Sequence, residues 1–204
     1  MLRKYSVPQK RTKTVYVLQY QKGGIMSKKV LIISASPRKG GNSDLLCDQF
    51  LAGAKEAGHN VEKIRLQEHK INYCLGCGVC NNTHKCVQKD DMASLLGKMI
   101  EADVIVLATP VYFYTMDAQL KTFIDRCVPR YTDISNKRFY FILSAADTVK
   151  KNLAPAVEGL RGFTRDCLEG TKEKGIIYGT GAWQKGEIKD LPAYKKAYEM
   201  GKKC

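Results

Sequence analysis

Half of the chain's eight cysteines share one short stretch with the spacing Cys-x2-Cys-x2-Cys-x5-Cys, at positions Cys74, Cys77, Cys80 and Cys86. Three thiols at this spacing can surround one compact centre, and the fourth supplies a further ligand. The pattern is typical of iron–sulfur ligation, whereas structural zinc usually takes two separated pairs of ligands. Gly76 and Gly78 would let the backbone pass close to cluster sulfurs with a positive φ. The spacing therefore favours a [4Fe–4S] cluster.

Other interpretations of these four thiols remain open. A zinc ion with His84 as a further ligand, or four reduced thiols without a metal, would also suit the spacing. Disulfides are disfavoured because a reducing cytosol keeps thiols reduced. The match to bacterial ferredoxins is partial, since Val87 follows the fourth cysteine where those proteins have proline.

A second stretch has the residue types of an anion site. Apolar residues 30–33 predict a strand buried on both faces, and a polar, glycine-rich turn then leads into a helix from Asp44. Free N–H groups and the dipole at a helix N-terminus attract negative charge. Further donors are the side chains of Ser34, Ser36, Arg38, Asn42 and Ser43. The turn lacks the Walker and dinucleotide patterns, so it predicts a site for one phosphate, with an ordinary capped turn as the alternative.

An aromatic cluster follows the next buried strand. Pro110 fixes the chain direction there, and Tyr112, Phe113 and Tyr114 then crowd the end of the strand. Aromatic rings beside a phosphate pocket suit a ligand with a planar ring and a phosphate tail. The alternative is that these rings cover the sheet or form a subunit contact.

Five apolar stretches alternate with amphipathic ones. They predict strands at 30–33, 60–66, 103–108, 138–143 and 175–178, with helices from 44 and around 92–101, 120–127, 152–168 and 192–202. This alternation predicts an α/β fold with a parallel, doubly wound sheet of order 2-1-3-4-5. Ligands of such sheets bind outside the carboxyl ends of the strands, which are here the loops 34–43, 109–114 and 144–147. Residues 67–90 predict a long functional loop.

Charge is distributed unevenly along the chain. Of the net +14, residues 1–25 hold six of the 34 basic residues and none of the 20 acidic ones, which leaves +8 for 26–204. We expect 1–25 to be a leader outside the fold, with Met26 as the natural start and 26–204 as one domain. The remaining charge would speed encounter with an acidic redox partner and does not indicate nucleic-acid binding.

The rest of the composition narrows the function classes. The longest apolar run, 104–114, contains Pro110 and is too short to cross a bilayer, so we expect no membrane span. No secretory segment is evident, and a cytoplasmic location is expected. No Ser/His/Asp constellation or carboxylate pair indicates hydrolysis.

Four motifs, taken in order, carry a family resemblance. They are Ser-Ala-Ser-Pro-Arg-Lys-Gly-Gly-Asn-Ser at 34–43, the cysteine spacing with Asp-Asp-Met at 90–92, Thr-Pro-Val-Tyr-Phe-Tyr at 109–114 and Lys-Thr-Phe-Ile-Asp-Arg at 121–126. Together they resemble the flavodoxin-fold NAD(P)H-dependent FMN reductases, especially the iron–sulfur flavoprotein branch, over about residues 28–203.

The resemblance implies two cofactors and an oligomer. It places the phosphate of FMN at Ser34, Ser36, Arg38, Asn42 and Ser43. It places the flavin ring along Thr109, Pro110, Val111, Tyr112, Phe113 and Tyr114, with the loop of Ser144, Ala145 and Asp147 closing the other side. It implies a [4Fe–4S] cluster on Cys74, Cys77, Cys80 and Cys86, and a homodimer or homotetramer with flavins at subunit interfaces.

These features predict an oxidoreductase that passes electrons between NAD(P)H, or another donor, and an acceptor. The acceptor is a small molecule or an acidic redox protein. One alternative is an NAD(P)H-dependent reductase of FMN, quinones or azo compounds without a cluster, and another is a flavodoxin-like binding protein without catalysis. No catalytic acid or base is expected from the chain, because hydride transfer at the flavin needs none.

Overall fold

The computed structural model describes residues 26–204, so the predicted leader 1–25 lies outside the described residues. Its strands are β1 (Lys29–Ser34), β2 (Asn60–Arg65), β3 (Val104–Tyr112), β4 (Thr115–Met116), β5 (Arg138–Ala145) and β6 (Lys172–Thr180). Five of them form a parallel sheet in the order β2-β1-β3-β5-β6. The class of fold is the predicted one, and the five parallel strands lie in the predicted order across the sheet.

The sixth strand, β4, is absent from the sequence prediction. It pairs antiparallel with the end of β3, through Val111 opposite Met116. The connecting residues Phe113 and Tyr114 have φ angles of 47° and 66°. A two-residue hairpin turn of type I′ needs positive φ at both positions, and the sequence signal for it is Asn-Gly or Asp-Gly. Two bulky aromatic residues give the opposite signal, which is why the hairpin is missed.

The helices are α1 (Asn42–Glu56), α2 (Cys80–Thr83), α3 (Met92–Glu101), α4 (Ala118–Asp125), α5 (Ala154–Thr164) and α6 (Pro192–Lys202). Four of the predicted helical stretches match within a few residues. The fifth is shorter than predicted at both ends, because 150–153 forms a separate 3-10 turn and α5 ends at Thr164. α2 is a single turn inside the cysteine loop, where no helix was predicted.

Both faces of the sheet are buried. Along β1, Val30 and Ile32 pack with residues of α1 and α6, while Leu31 and Ile33 pack with residues of α3, α4 and α5. Successive side chains of a strand point to opposite faces, so a strand covered on both sides must be apolar throughout. This double burial explains the uninterrupted apolar stretches of the sequence. Within residues 26–204, no helix combines the length and apolar character that spanning a bilayer requires.

Two glycines let α1 and α6 approach each other closely. A Cβ atom at Gly201 would lie 2.1 Å from the carbonyl oxygen of Phe50, and one at Gly53 would lie 2.1 Å from that of Tyr198. Real Cβ atoms do not approach backbone this closely, so any larger residue would force the helices apart. α6 thus fixes the helix whose first turn belongs to the candidate anion site.

Replacing Gly201 by alanine is expected to lower the free energy of unfolding by about 1–3 kcal/mol, because the helices must separate to admit the methyl group. Gly97→Ala in α3 is the matched control, since its Cβ would meet open space. Alanine's higher helix propensity should there raise the stability by up to about 1 kcal/mol. Denaturant unfolding of both variants provides the measurement, and equal effects at the two positions would contradict the close contact.

Candidate functional site

A cleft of about 440 Å³ lies at the carboxyl edge of the sheet. It brings together the three loops predicted to bind a ligand, along with a fourth loop after β6. Its lining residues are Pro37, Arg38, Asn42, Pro110, Val111, Tyr112, Ser144, Ala145, Ala146, Ala182, Trp183 and Gln184. The cleft is therefore where the topology of a parallel sheet predicts a binding site.

The fourth loop is held in place by Asn42. The Asn42 side-chain amide donates to the carbonyl oxygens of Ala182, at 3.1 Å, and Gln184, at 2.9 Å. Its oxygen accepts a hydrogen bond from the backbone N–H of Gly186 at 3.0 Å. The Asn42 amide, predicted to contact phosphate, thus joins two walls of the cleft. The available sequence signals for this loop were the single tryptophan of the chain, Trp183, and the preceding Gly-Thr-Gly.

Helix α1 begins with unpaired polar groups. Its N-cap residue is Gly41, and no side chain caps the first turn, so its leading backbone N–H groups stay available. The hydroxyl of Ser43 is buried and has no hydrogen-bond partner within residues 26–204. A Cβ atom at position 41 would lie 2.5 Å from Ser36 Oγ, which itself donates to the carbonyl of Arg38. The turn is therefore a narrow cradle lined with donors.

Ser34 lies beneath this cradle. Its hydroxyl donates to the carboxylate of Asp44 at 2.8 Å, and the Gly40 N–H donates to the other carboxylate oxygen at 2.9 Å. Lys63 approaches the same carboxylate to 2.8 Å. Burial opposes the ionisation of Asp44, but these hydrogen bonds outweigh it and hold its pKa below the usual value. Ser34 and Asp44 thus shape the turn from below, and the structure does not place Ser34 in the lining of the cleft.

The aromatic residues predicted to form the ring site take different positions. Tyr112 lines the cleft, whereas Phe113, fully exposed, and Tyr114 lie at the tip of the hairpin outside its lining. Thr109 is buried, with its hydroxyl 3.1 Å from Asp117. Asp147 accepts hydrogen bonds from Val149 and Asn152, which stabilise its own loop.

All four cysteines of the motif line a second cavity of about 250 Å³. Gly76 and Gly78 have φ angles of 64° and 72°, which confirms the expected positive φ. Within residues 26–204, no three His, Cys, Asp or Glu side chains converge closely enough to hold one metal ion. In a four-iron cluster each thiolate binds a different iron, so the sulfurs must surround a volume and need not meet at one point. The cavity fits such a group.

Asp90 closes the cysteine loop at its base. The carboxylate accepts hydrogen bonds from the backbone N–H groups of Asn72, at 3.0 Å, and Met92, at 3.2 Å. It also forms a bidentate pair with the buried Arg126, at 2.7 and 2.9 Å. Burial raises the pKa of Asp90, but the guanidinium and backbone donors outweigh it and bring the pKa below its usual value. Asp91 adds a second closure, because it accepts from the N–H of Lys70 at 2.8 Å.

Comparison with known proteins agrees with this geometry. The family model described as NADPH-dependent FMN reductase matches residues 28–164. An iron-sulfur flavoprotein of Archaeoglobus fulgidus is 46% identical over 101 residues, which cover 50% of this chain and 46% of that protein. A Bacillus subtilis protein named as an NAD(P)H-dependent FMN-containing oxidoreductase is 27% identical over 184 residues, covering 86% and 97% of the two chains.

Solved structures show the same fold. An azoreductase from Bacillus anthracis superimposes with a TM-score of 0.69 at 20% identity, covering 87% of this chain and 100% of that one. An FMN-dependent NADH-azoreductase from the same species, solved in complex with FMN, gives a TM-score of 0.67 at 17% identity over 86% and 98% of the chains.

The fold defines a flavodoxin-like α/β protein, with a cleft of about 440 Å³ at the carboxyl edge of its sheet. More narrowly, the chain belongs to the NADPH-dependent FMN reductase family, as the motifs predicted. Its similarity to iron-sulfur flavoproteins agrees with the predicted branch. The chain spans about half the length of those relatives.

Asp117, at the start of α4, is a buried acid behind the rim. Its Oδ1 accepts the backbone N–H of Leu120 at 3.2 Å, while Oδ2 has no partner within residues 26–204. Burial raises its pKa to about 6. Between pH 4 and 6 the carboxyl group of Asp117 is therefore ionised in the unfolded chain and protonated in the folded chain. Raising the pH through this range lowers the free energy of unfolding, and the loss persists above pH 6.

Asp117→Asn removes this titration and keeps an oxygen that can accept from Leu120. Relative to the unmodified chain, we expect the variant to gain up to about 3 kcal/mol in free energy of unfolding between pH 4 and pH 7. Urea unfolding at both pH values measures the change. Asp190→Asn, at the surface, is the control, and a pH-independent difference for Asp117→Asn would contradict the buried acid.

Proposed function

We propose that the protein is an FMN-dependent oxidoreductase that passes electrons between NAD(P)H, or another donor, and an acceptor, with a [4Fe–4S] cluster in the cysteine loop. The observation that carries the proposal is the cleft, in which an uncapped helix N-terminus and the rims of β3 and β5 face one space. FMN supplies hydride and single-electron chemistry when bound, and the chain's residues bind and orient it.

The residues of the cleft fit a mononucleotide. A volume of about 440 Å³ falls within the range of about 300–1,000 Å³ that is typical of ligand sites. Arg38 and the first turn of α1 supply positive charge and donors for a phosphate, and the unpartnered hydroxyl of Ser43 gains an acceptor there. Residues Pro110–Tyr112 and Ser144–Ala145 then flank the flavin ring. Trp183, 71% exposed, offers a further aromatic wall.

The cysteine cavity supports the cluster. Its four thiols line one space, as the ligands of a four-iron cluster must, since each thiolate binds a different iron. The names of the iron-sulfur flavoproteins that match the chain support the same assignment.

A reductase without a cluster is the second candidate. It is favoured by the Bacillus subtilis relative, which matches nearly the whole length of both chains and is named for FMN alone. Its acceptors would be quinones, azo compounds or free flavin. The third alternative, a binding protein without catalysis, is disfavoured by membership of a reductase family.

We also propose a homodimer or homotetramer in the cytoplasm. The exposed hairpin tip of Phe113 and Tyr114, beside the cleft, is a suitable subunit contact. The net charge of +8 on 26–204 favours an acidic redox protein as electron partner when the acceptor is not a small molecule.

Anaerobic purification followed by absorption spectroscopy and iron analysis separates these candidates. Flavin bands with a broad, bleachable shoulder and about four irons per chain, as a [4Fe–4S] cluster requires, would support the main proposal. Flavin bands without iron would support the second candidate. A colourless protein that takes up no FMN would refute both.

Ser43→Ala is expected to weaken FMN binding by about 10- to 100-fold, the value of one hydrogen bond to a charged phosphate. Because the hydroxyl has no hydrogen-bond partner in the described part of the chain, the stability of the ligand-free protein should not fall. Fluorescence titration with FMN measures the dissociation constant, with the exposed helical Ser94→Ala as control. A loss of stability without a loss of FMN affinity would identify Ser43 as structural.

Cys77→Ala is expected to lower the bound iron by at least about a quarter, because one of the four irons of the cluster would lose its protein ligand. Cys167→Ala replaces an exposed cysteine outside the loop and should retain the full content. Iron and acid-labile sulfide per chain provide the measurement. If both variants keep equal iron, the ligand assignment is wrong.

A further inference from the structure

We propose that Arg126 is a positioning residue that orients Cys86 and stabilises negative charge on its sulfur when the cysteine loop holds its cluster. The inference rests on the cluster of the proposed function. It concerns a residue on α4's C-terminal side, outside the cysteine motif, whose side chain reaches one ligand of the four.

The Arg126 side chain is buried, with 2% of it exposed, and forms several hydrogen bonds to the cysteine loop. Nη1 donates to the carbonyl oxygen of Asn72 at 2.6 Å and to Asp90 at 2.7 Å. Nη2 donates to the other oxygen of Asp90 at 2.9 Å and lies 3.4 Å from Cys86 Sγ. One guanidinium thus joins the beginning of the loop, its end and one of its four thiols.

This arrangement fixes the direction of the N–H group that faces the sulfur. A guanidinium is planar, and a bidentate pair with a carboxylate leaves it little freedom to rotate. Asp90 is itself held by two backbone N–H groups, so the orientation does not depend on Cys86. Within residues 26–204, no other side chain donates a hydrogen bond to a thiol of the motif. Cys86 is therefore distinguished from Cys74, Cys77 and Cys80.

The energetics also point to a role beyond folding. Apolar residues often replace a buried ion pair at no cost in stability, so stability alone is a weak reason for the pair. The pair is neutral overall, but its cationic end faces Cys86. A cluster gains negative charge on reduction, and hydrogen bonds to its sulfurs are among the factors that set its potential. The Arg126 donor should therefore favour the reduced form and raise the midpoint potential.

The test uses the anaerobically purified holoprotein and measures the midpoint potential of the cluster by redox titration. Arg126→Gln removes the cation but leaves Asp90 buried without its partner. The double variant Asp90→Asn with Arg126→Gln keeps a neutral hydrogen-bonded pair and avoids that penalty, and Arg126→Lys keeps the charge without the planar fork. Arg165→Gln is the control, because Arg165 is exposed, pairs with Asp166 and lies outside the lining of the cysteine cavity.

We expect the midpoint potential to fall in all three Arg126 variants, least in Arg126→Lys, and to stay unchanged in Arg165→Gln. Iron release to a chelator should be faster in the same three variants, while the dissociation constant of FMN should not change, because Arg126 does not line the cleft. An unchanged potential in the soluble Arg126 variants would overturn the inference, whatever happens to iron release. A wild-type protein without iron would instead refute the proposed cluster.

Discussion

The cleft depends on the fixed position of helix α1. Its N-terminus is held from below by Asp44, which joins Ser34, Gly40 and Lys63, and its body is held by the glycine contact with α6. The first turn can then keep an uncapped end, which at a glycine N-cap costs roughly a few tenths of a kcal/mol. It can also keep an unpartnered Ser43 hydroxyl, which costs about 1 kcal/mol or more in an empty site. Packing elsewhere offsets these costs. Polar groups left unsatisfied on a rigid frame are what a charged ligand requires.

The cysteine loop is also ordered by carboxylates that accept hydrogen bonds from backbone N–H groups. A loop of some twenty residues inside a compact domain has little apolar material with which to order itself. Asp90 and Asp91 bind its two ends together through backbone donors at Asn72 and Lys70, and Arg126 ties that closure to the helical layer. The thiols remain unpaired with one another and face a common cavity. The loop is thus ordered at its base while its four thiols face the cavity.

The sheet could be predicted from the sequence because strands buried on both faces leave a strong apolar signal, as residues 30–33 and 103–108 do. The hairpin after β3 could not, since Phe113 and Tyr114 adopt a backbone conformation that their types disfavour. The fourth wall of the cleft could not be predicted from the sequence for another reason. Ala182 and Gln184, on either side of Trp183, accept hydrogen bonds from Asn42, some 140 positions away, and no local pattern records such a contact.

The family match and the cleft make separate contributions to the proposed function. The matched region, 28–164, contains three of the four walls: the turn before α1, the end of β3 and the end of β5. Those walls carry hydrogen-bond donors that suit a phosphate and a rim that suits a flat ring. The wall of Ala182–Gln184 lies beyond the matched region and rests on this chain's own contacts, with Asn42 on one side and Glu187, which accepts from the N–H groups of Trp183 and Gln184, on the other. The fourth wall is therefore set by contacts within this chain, while the family match accounts for the other three.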